Sequence, residues 1–61
     1  MTYSVILSDI DYSKHREIMD WCYDNIGQYG VDFDWDFWCN GDRIYRFTKE
    51  EYCTWFKLRW E

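Results

Sequence analysis

The chain has 61 residues, among them 5 Trp, 6 Tyr and 4 Phe, so 25% of it is aromatic, and it contains neither Pro nor Ala. A chain this short is expected to form one α+β domain over residues 1–61, burying at most about 60% of its unfolded surface. The net charge of -5 argues against a phosphate-backbone binder, and no apolar run approaches the roughly 18 residues of a membrane span, so we expect a cytoplasmic protein that contacts neither nucleic acid nor membrane.

Residues 2–7, TYSVIL, are rich in aromatic and β-branched side chains and run into an Asp/Ser cluster, which predicts the first strand. Tyr3, Val5 and Leu7 would share one face. Asp9, Asp11 and Ser13 are N-cap candidates for a helix over about residues 12–26, whose apolar positions Ile18, Met19, Cys22 and Ile26 recur at helical spacing with His15 on the same stripe. Gly27 and Gly30 flank its end, where a left-handed cap suits glycine.

Residues 31–38, VDFDWDFW, alternate Val31, Phe33, Trp35 and Phe37 with Asp32, Asp34 and Asp36, the period-two pattern of a half-buried strand. A third strand follows over residues 43–47. Register decides the loop between them: a two-residue Asn-Gly turn would set Trp35 against Arg46. A three-residue loop over 39–41, with Gly41 left-handed, sets Trp35 against Tyr45, Phe33 against Phe47 and Asp34 against Arg46. Thr48, Lys49, Glu50 and Glu51 read as a capping box that opens a second helix running to about Trp60. Cys53, Phe56 and Trp60 form its inward stripe.

The order β-α-β-β-α, with the usual right-handed crossover, predicts a three-stranded antiparallel sheet of order 1-3-2 with two helices on one face. This topology resembles a truncated ferredoxin-like fold lacking its last strand. It would leave the edge of strand one unpaired and a helix-free face bearing Asp32, Asp34, Asp36, Trp38, Ile44 and Arg46. The core is expected from Tyr3, Phe33, Trp35, Phe37, Tyr45, Phe47, Phe56 and Trp60. Tyr12, Trp21, Tyr23, Tyr29, Trp38 and Trp55 exceed what so small a core encloses and are expected at the surface.

Catalytic and cofactor chemistry find little support in the sequence. Cys22, Cys39 and Cys53 are odd in number, lack a CxxC spacing and are accompanied by one histidine, which favours buried thiols over a disulfide framework or a zinc site. The alternating aspartates lack the glycine and glutamate of a calcium loop. His15 is expected on the surface of the first helical turn, with no third group to complete a nucleophilic arrangement. No phosphate-cradling glycine motif occurs. No cofactor, metal or enzymatic activity is therefore expected.

Recognition remains. Regularly spaced carboxylates beside Trp38 suit a basic surface on another protein, as in a nucleic-acid mimic. Asp32, Asp34, Asp36, Trp38, Ile44, Trp21, Tyr23 and Trp55 are the expected partner-binding residues. The closing stretch, Phe47-Thr48-Lys49-Glu50-Glu51-Tyr52 through Phe56-Lys57-Leu58-Arg59-Trp60, with the aspartate-rich aromatic strand before it, resembles short bacteriophage-encoded accessory and inhibitor proteins. That resemblance, over the last third of the chain, implies a non-enzymatic inhibitor or modulator of a larger host protein, acting in host takeover or against a defence system. The alternative is a self-associating module that dimerises through the strand-one edge and surface aromatics.

Overall fold

A computed structural model describes residues 2–61. Along the chain come β1 (Tyr3–Leu7), α1 (Tyr12–Asn25), β2 (Phe33–Phe37), β3 (Arg43–Phe47) and α2 (Glu50–Trp60). The strands form one sheet in the order β1-β3-β2, with β3 antiparallel to both neighbours. Phe33 lies opposite Phe47, Asp34 opposite Arg46 and Trp35 opposite Tyr45. That register follows from the three-residue connection Cys39–Gly41, closed by the Trp38 N–H donating to the Asp42 carbonyl at 2.8 Å. Asn40 and Gly41 take φ of 58° and 83°, left-handed values that these two residue types accept. A loop one residue shorter would have turned Tyr45 out of the core.

Asp11 caps α1, its carboxylate accepting the Lys14 N–H at 2.8 Å, which satisfies one of the free amides of the first turn. The helix buries His15, Ile18 and Cys22. Gly27, just past the C-cap Ile26, supplies the positive φ expected of a glycine there, at 153°. Ile26 keeps helical dihedrals, and the N–H groups of Ile26 and Gly27 both reach the Cys22 carbonyl, at 2.8 and 3.1 Å.

The expected capping box at Thr48 does not form. Helix α2 starts at Glu50 behind Lys49, which makes no side-chain capping bond. The Thr48 hydroxyl and N–H instead both donate to the Asp32 carbonyl, each at 3.1 Å. Thr48 directly follows Phe47, which is paired with Phe33, so the sheet claims it before the helix does. Glu50 and Glu51 still place negative charge in the first turn of α2, where the helix dipole favours it.

Both helices cover the same face of the sheet. Ile18 and Cys22 of α1 and Cys53 and Phe56 of α2 pack with Val5, Phe33, Tyr45 and Phe47. The Phe56 ring is the hub, with its centroid 5.0 Å from Phe47, 5.2 Å from Tyr45 and 6.1 Å from Trp21. Truncating such a ring to alanine costs about 3–5 kcal/mol. Tyr3, Trp35 and Trp60 are half-buried against this cluster. Phe37, expected in the core, is 66% exposed, because it ends an edge strand at the turn. Cys39, expected to be a core thiol, is exposed in the same turn, whereas Cys22 and Cys53 are buried. Among the described residues no helix is long and apolar enough to cross a membrane.

Candidate functional site

The expected acidic row is less free than its spacing implies. Asp32 lies outside β2, in the turn before it, where its Oδ2 accepts the Gln28 N–H at 2.9 Å. Asp34 accepts from Arg46 Nε at 2.6 Å, the one ion pair among the described residues. Asp36 accepts the N–H of Phe37 at 2.8 Å. Each carboxylate therefore has a local partner, and the Asp34–Arg46 pair cancels one charge of the row. Ile44, expected on the open face, is only 9% exposed, because it sits in the central strand with Ile6 and Asp36 on either side.

The expected aromatic contacts divide as well. Trp38, Tyr23 and Trp55 are exposed. Trp21 is half-buried, edge-on to Phe56 and Trp60 with centroids at 6.1 and 6.4 Å. Trp55 lies beside Tyr52 on α2, whereas Tyr23 belongs to a different group of residues.

That group forms a cleft of about 390 Å³, at the lower end of the range of small-ligand pockets. Helix α1 contributes Tyr12, His15, Arg16, Met19 and Tyr23 as one wall. Trp35 and Phe37 of β2, with Arg43 of β3, make the other. The helical wall follows from spacing: positions 12, 16, 19 and 23 form a stripe beside the core stripe of 15, 18 and 22. Tyr12 is 73% exposed. The Trp35 and Phe37 rings meet edge to face, 5.1 Å apart at 81°. The Arg43 guanidinium lies over both, 5.4 Å from the Trp35 ring and 5.3 Å from that of Phe37, a cation–π arrangement.

His15 forms the floor. Expected at the surface, it is only 8% exposed, because its place on the core stripe outweighs its place in the first turn. Its ring lies tilted against Trp35, at 59° with centroids 4.2 Å apart, and its Nδ1 is 2.9 Å from the Tyr45 hydroxyl. Burial lowers the His15 pKa, and the Arg43 charge lowers it further, so the imidazole is neutral at pH 7. Burial pushes the Tyr45 phenol up to about 12, partly offset by Arg43. The phenol therefore keeps its proton. We assign it as the donor to His15 Nδ1, which places the imidazole proton on Nε2.

The cleft lining holds no Ser, Thr, Cys, Lys, Asp or Glu side chain. Cys22, the nearest core thiol along α1, is held protonated by burial, with its pKa raised to about 12. Among the described residues no three His, Cys, Asp or Glu side chains gather into a metal-holding group.

Searches against family models, curated proteins and solved structures find no match to this chain.

Proposed function

We propose that this is a binding protein rather than an enzyme, and that it holds a larger protein through the aromatic cleft between α1 and β2. One observation carries this reading. In a chain that must spend most of its aromatic mass on a core, Tyr12, Tyr23 and Phe37 remain exposed around a single concave site. Large rigid side chains around a concavity are what protein-binding hot spots are made of. The engaged state of Asp32, Asp34 and Asp36 moves the weight of recognition from the acidic row to this cleft. The chain's excess acid still suits long-range attraction to a basic surface. With the resemblance of the C-terminal stretch, this supports a phage-encoded inhibitor or modulator of a host protein, at work in the cytoplasm.

The test is capture from a bacterial host lysate with the cleft as the variable. The wild type retains one protein in stoichiometric amount, Tyr12→Ser and Phe37→Ser lose it, and Trp55→Ala on α2 keeps it. Retention by all four chains, or by none, overturns the reading.

Ile6, exposed on the edge strand β1 opposite Ile44, favours a second reading in which the partner is another copy of this chain. A light-scattering mass of twice 7.8 kDa at micromolar concentration supports it, and a monomer removes it.

A further inference from the structure

We propose that the cleft is a site for an aromatic carboxylate, its ring against Trp35 and Phe37 and its carboxylate held by Arg43 and Arg16. This names the chemistry of the occupant and rests on the binding-protein reading above.

Charge is the first argument. The chain carries 12 acidic residues against 7 Lys and Arg, yet the cleft lining includes two arginines and no carboxylate. Neither arginine has a carboxylate partner among the described residues, where the ion pair is Arg46 with Asp34. A pair of cations with no carboxylate beside them, inside an acidic molecule, attracts anions to the cleft.

Unused donor capacity is the second. Arg43 lines the cleft with its Nη1 turned inward, buried and without a hydrogen-bond partner, so the donors it offers a ligand are its remaining guanidinium N–H groups. The guanidinium is a planar fork suited to two parallel bonds with a carboxylate. Its stacking over Trp35 and Phe37 holds that fork in place before any ligand arrives. His15 contributes no charge of its own, since it is neutral and committed to Tyr45.

Wall chemistry is the third. Beyond the two cations and His15, the lining is Tyr12, Met19, Tyr23, Trp35 and Phe37, suited to an aromatic ring and to the edge-to-face geometry already present between Trp35 and Phe37. An inorganic anion would leave these walls unfilled.

The experiment is an NMR titration of the isotopically labelled full chain, following the Trp35 indole N–H and the Arg43 side chain. The probes are 3-phenylpropionate, its neutral amide 3-phenylpropionamide, and the peptide Gly-Ser-Gly-Phe with a free or an amidated C-terminus. The acids bind saturably, and each neutral counterpart binds about tenfold more weakly. Arg43→Met removes that preference. Arg16→Gln, on the exposed side of α1 and harmless to the fold, reduces it several-fold. Tighter binding of the peptide acid makes a chain terminus the source of the group, and tighter binding of 3-phenylpropionate makes it a small molecule.

Equal binding of acid and amide, or no saturable shift with any probe, overturns the proposal. If Phe37→Ser also abolishes partner capture in that case, the protein-binding reading stands while this one falls. Saturable, acid-selective binding with capture unaffected by Phe37→Ser does the reverse.

Discussion

His15 Nδ1 and the Tyr45 hydroxyl lie 2.9 Å apart, joining α1 to the central strand through the one buried side-chain hydrogen bond among the described residues. Tyr45 is fully buried, and among the described residues its phenol has no hydrogen-bond acceptor other than His15. Removing one partner strands the other. Tyr45→Phe is expected to lower unfolding stability by about 1–3 kcal/mol, read from urea denaturation. Adding His15→Leu should cost less than the sum of the two single changes, since replacing both partners with apolar groups leaves no orphan.

The same pair makes stability depend on pH. The folded-state pKa of His15 lies below its ordinary value, through burial and then Arg43, so below about pH 6.5 the unfolded chain binds a proton that the folded chain resists. Stability is therefore complete above that value and declines as pH falls from it toward the lowered folded-state pKa. Urea midpoints measured between about pH 5 and 7 should rise with pH in the wild type, and the slope should flatten in His15→Leu. An unchanged slope in that variant would assign the effect to another group.

Gly27 is required by a neighbour as well as by its backbone. Its φ is +153°, and a Cβ placed there would lie 2.7 Å from Asp32 Cγ and closer still to Oδ2. Asp32 has little room to yield, because its carboxylate holds the Gln28 N–H and its carbonyl holds Thr48. Gly27→Ala is expected to lower the melting temperature by an amount equivalent to about 1–3 kcal/mol. Gly30→Ala separates the two causes, since nothing lies within 4 Å of its Cβ position although its φ is +83°. It should cost less.

The three thiols should differ sharply in reactivity. Cys39 is exposed at the hairpin turn, and Cys22 and Cys53 are buried, with the Cys22 thiol raised to about 12 by burial. Thiolate is the reactive form. Under native, mildly alkaline conditions, one equivalent of a thiol reagent should react quickly and map to Cys39 by mass spectrometry. The other two should react at the rate of opening of the core, and all three should react together in denaturant.

Much of the fold is written in short-range patterns. The alternation of Val31 to Phe37, the helical stripe of Ile18 and Cys22 and the register argument through Gly41 all concern residues whose neighbours are set by strand or helix geometry alone. They yield the elements and the pairing of Trp35 with Tyr45, and the right-handed crossover adds the strand order and the face both helices cover. The cleft was only partly legible. Tyr12 and Tyr23 stand out as surplus aromatics, and helical spacing alone puts positions 12, 16, 19 and 23 on one stripe. Nothing local joins that stripe to Phe37 and Arg43, which come from strands later in the chain.

Where expectation and structure part, the physical origin is shared: a residue's local pattern competes with partners brought from elsewhere. Thr48 has the sequence of a helix cap, but the sheet holds Asp32 against it. Asp32 has the sequence of a strand residue, but the turn at Gln28 takes its carboxylate. His15 sits in an exposed first turn by position, and Tyr45 and Trp35 draw it inward. Aromatic content and acid-to-base ratio were enough to specify a thin aromatic core under a charged surface. Where two arginines would face five apolar side chains depended on the packing of α1 against β2 and β3, because charge and shape converge at a site only once the chain has closed.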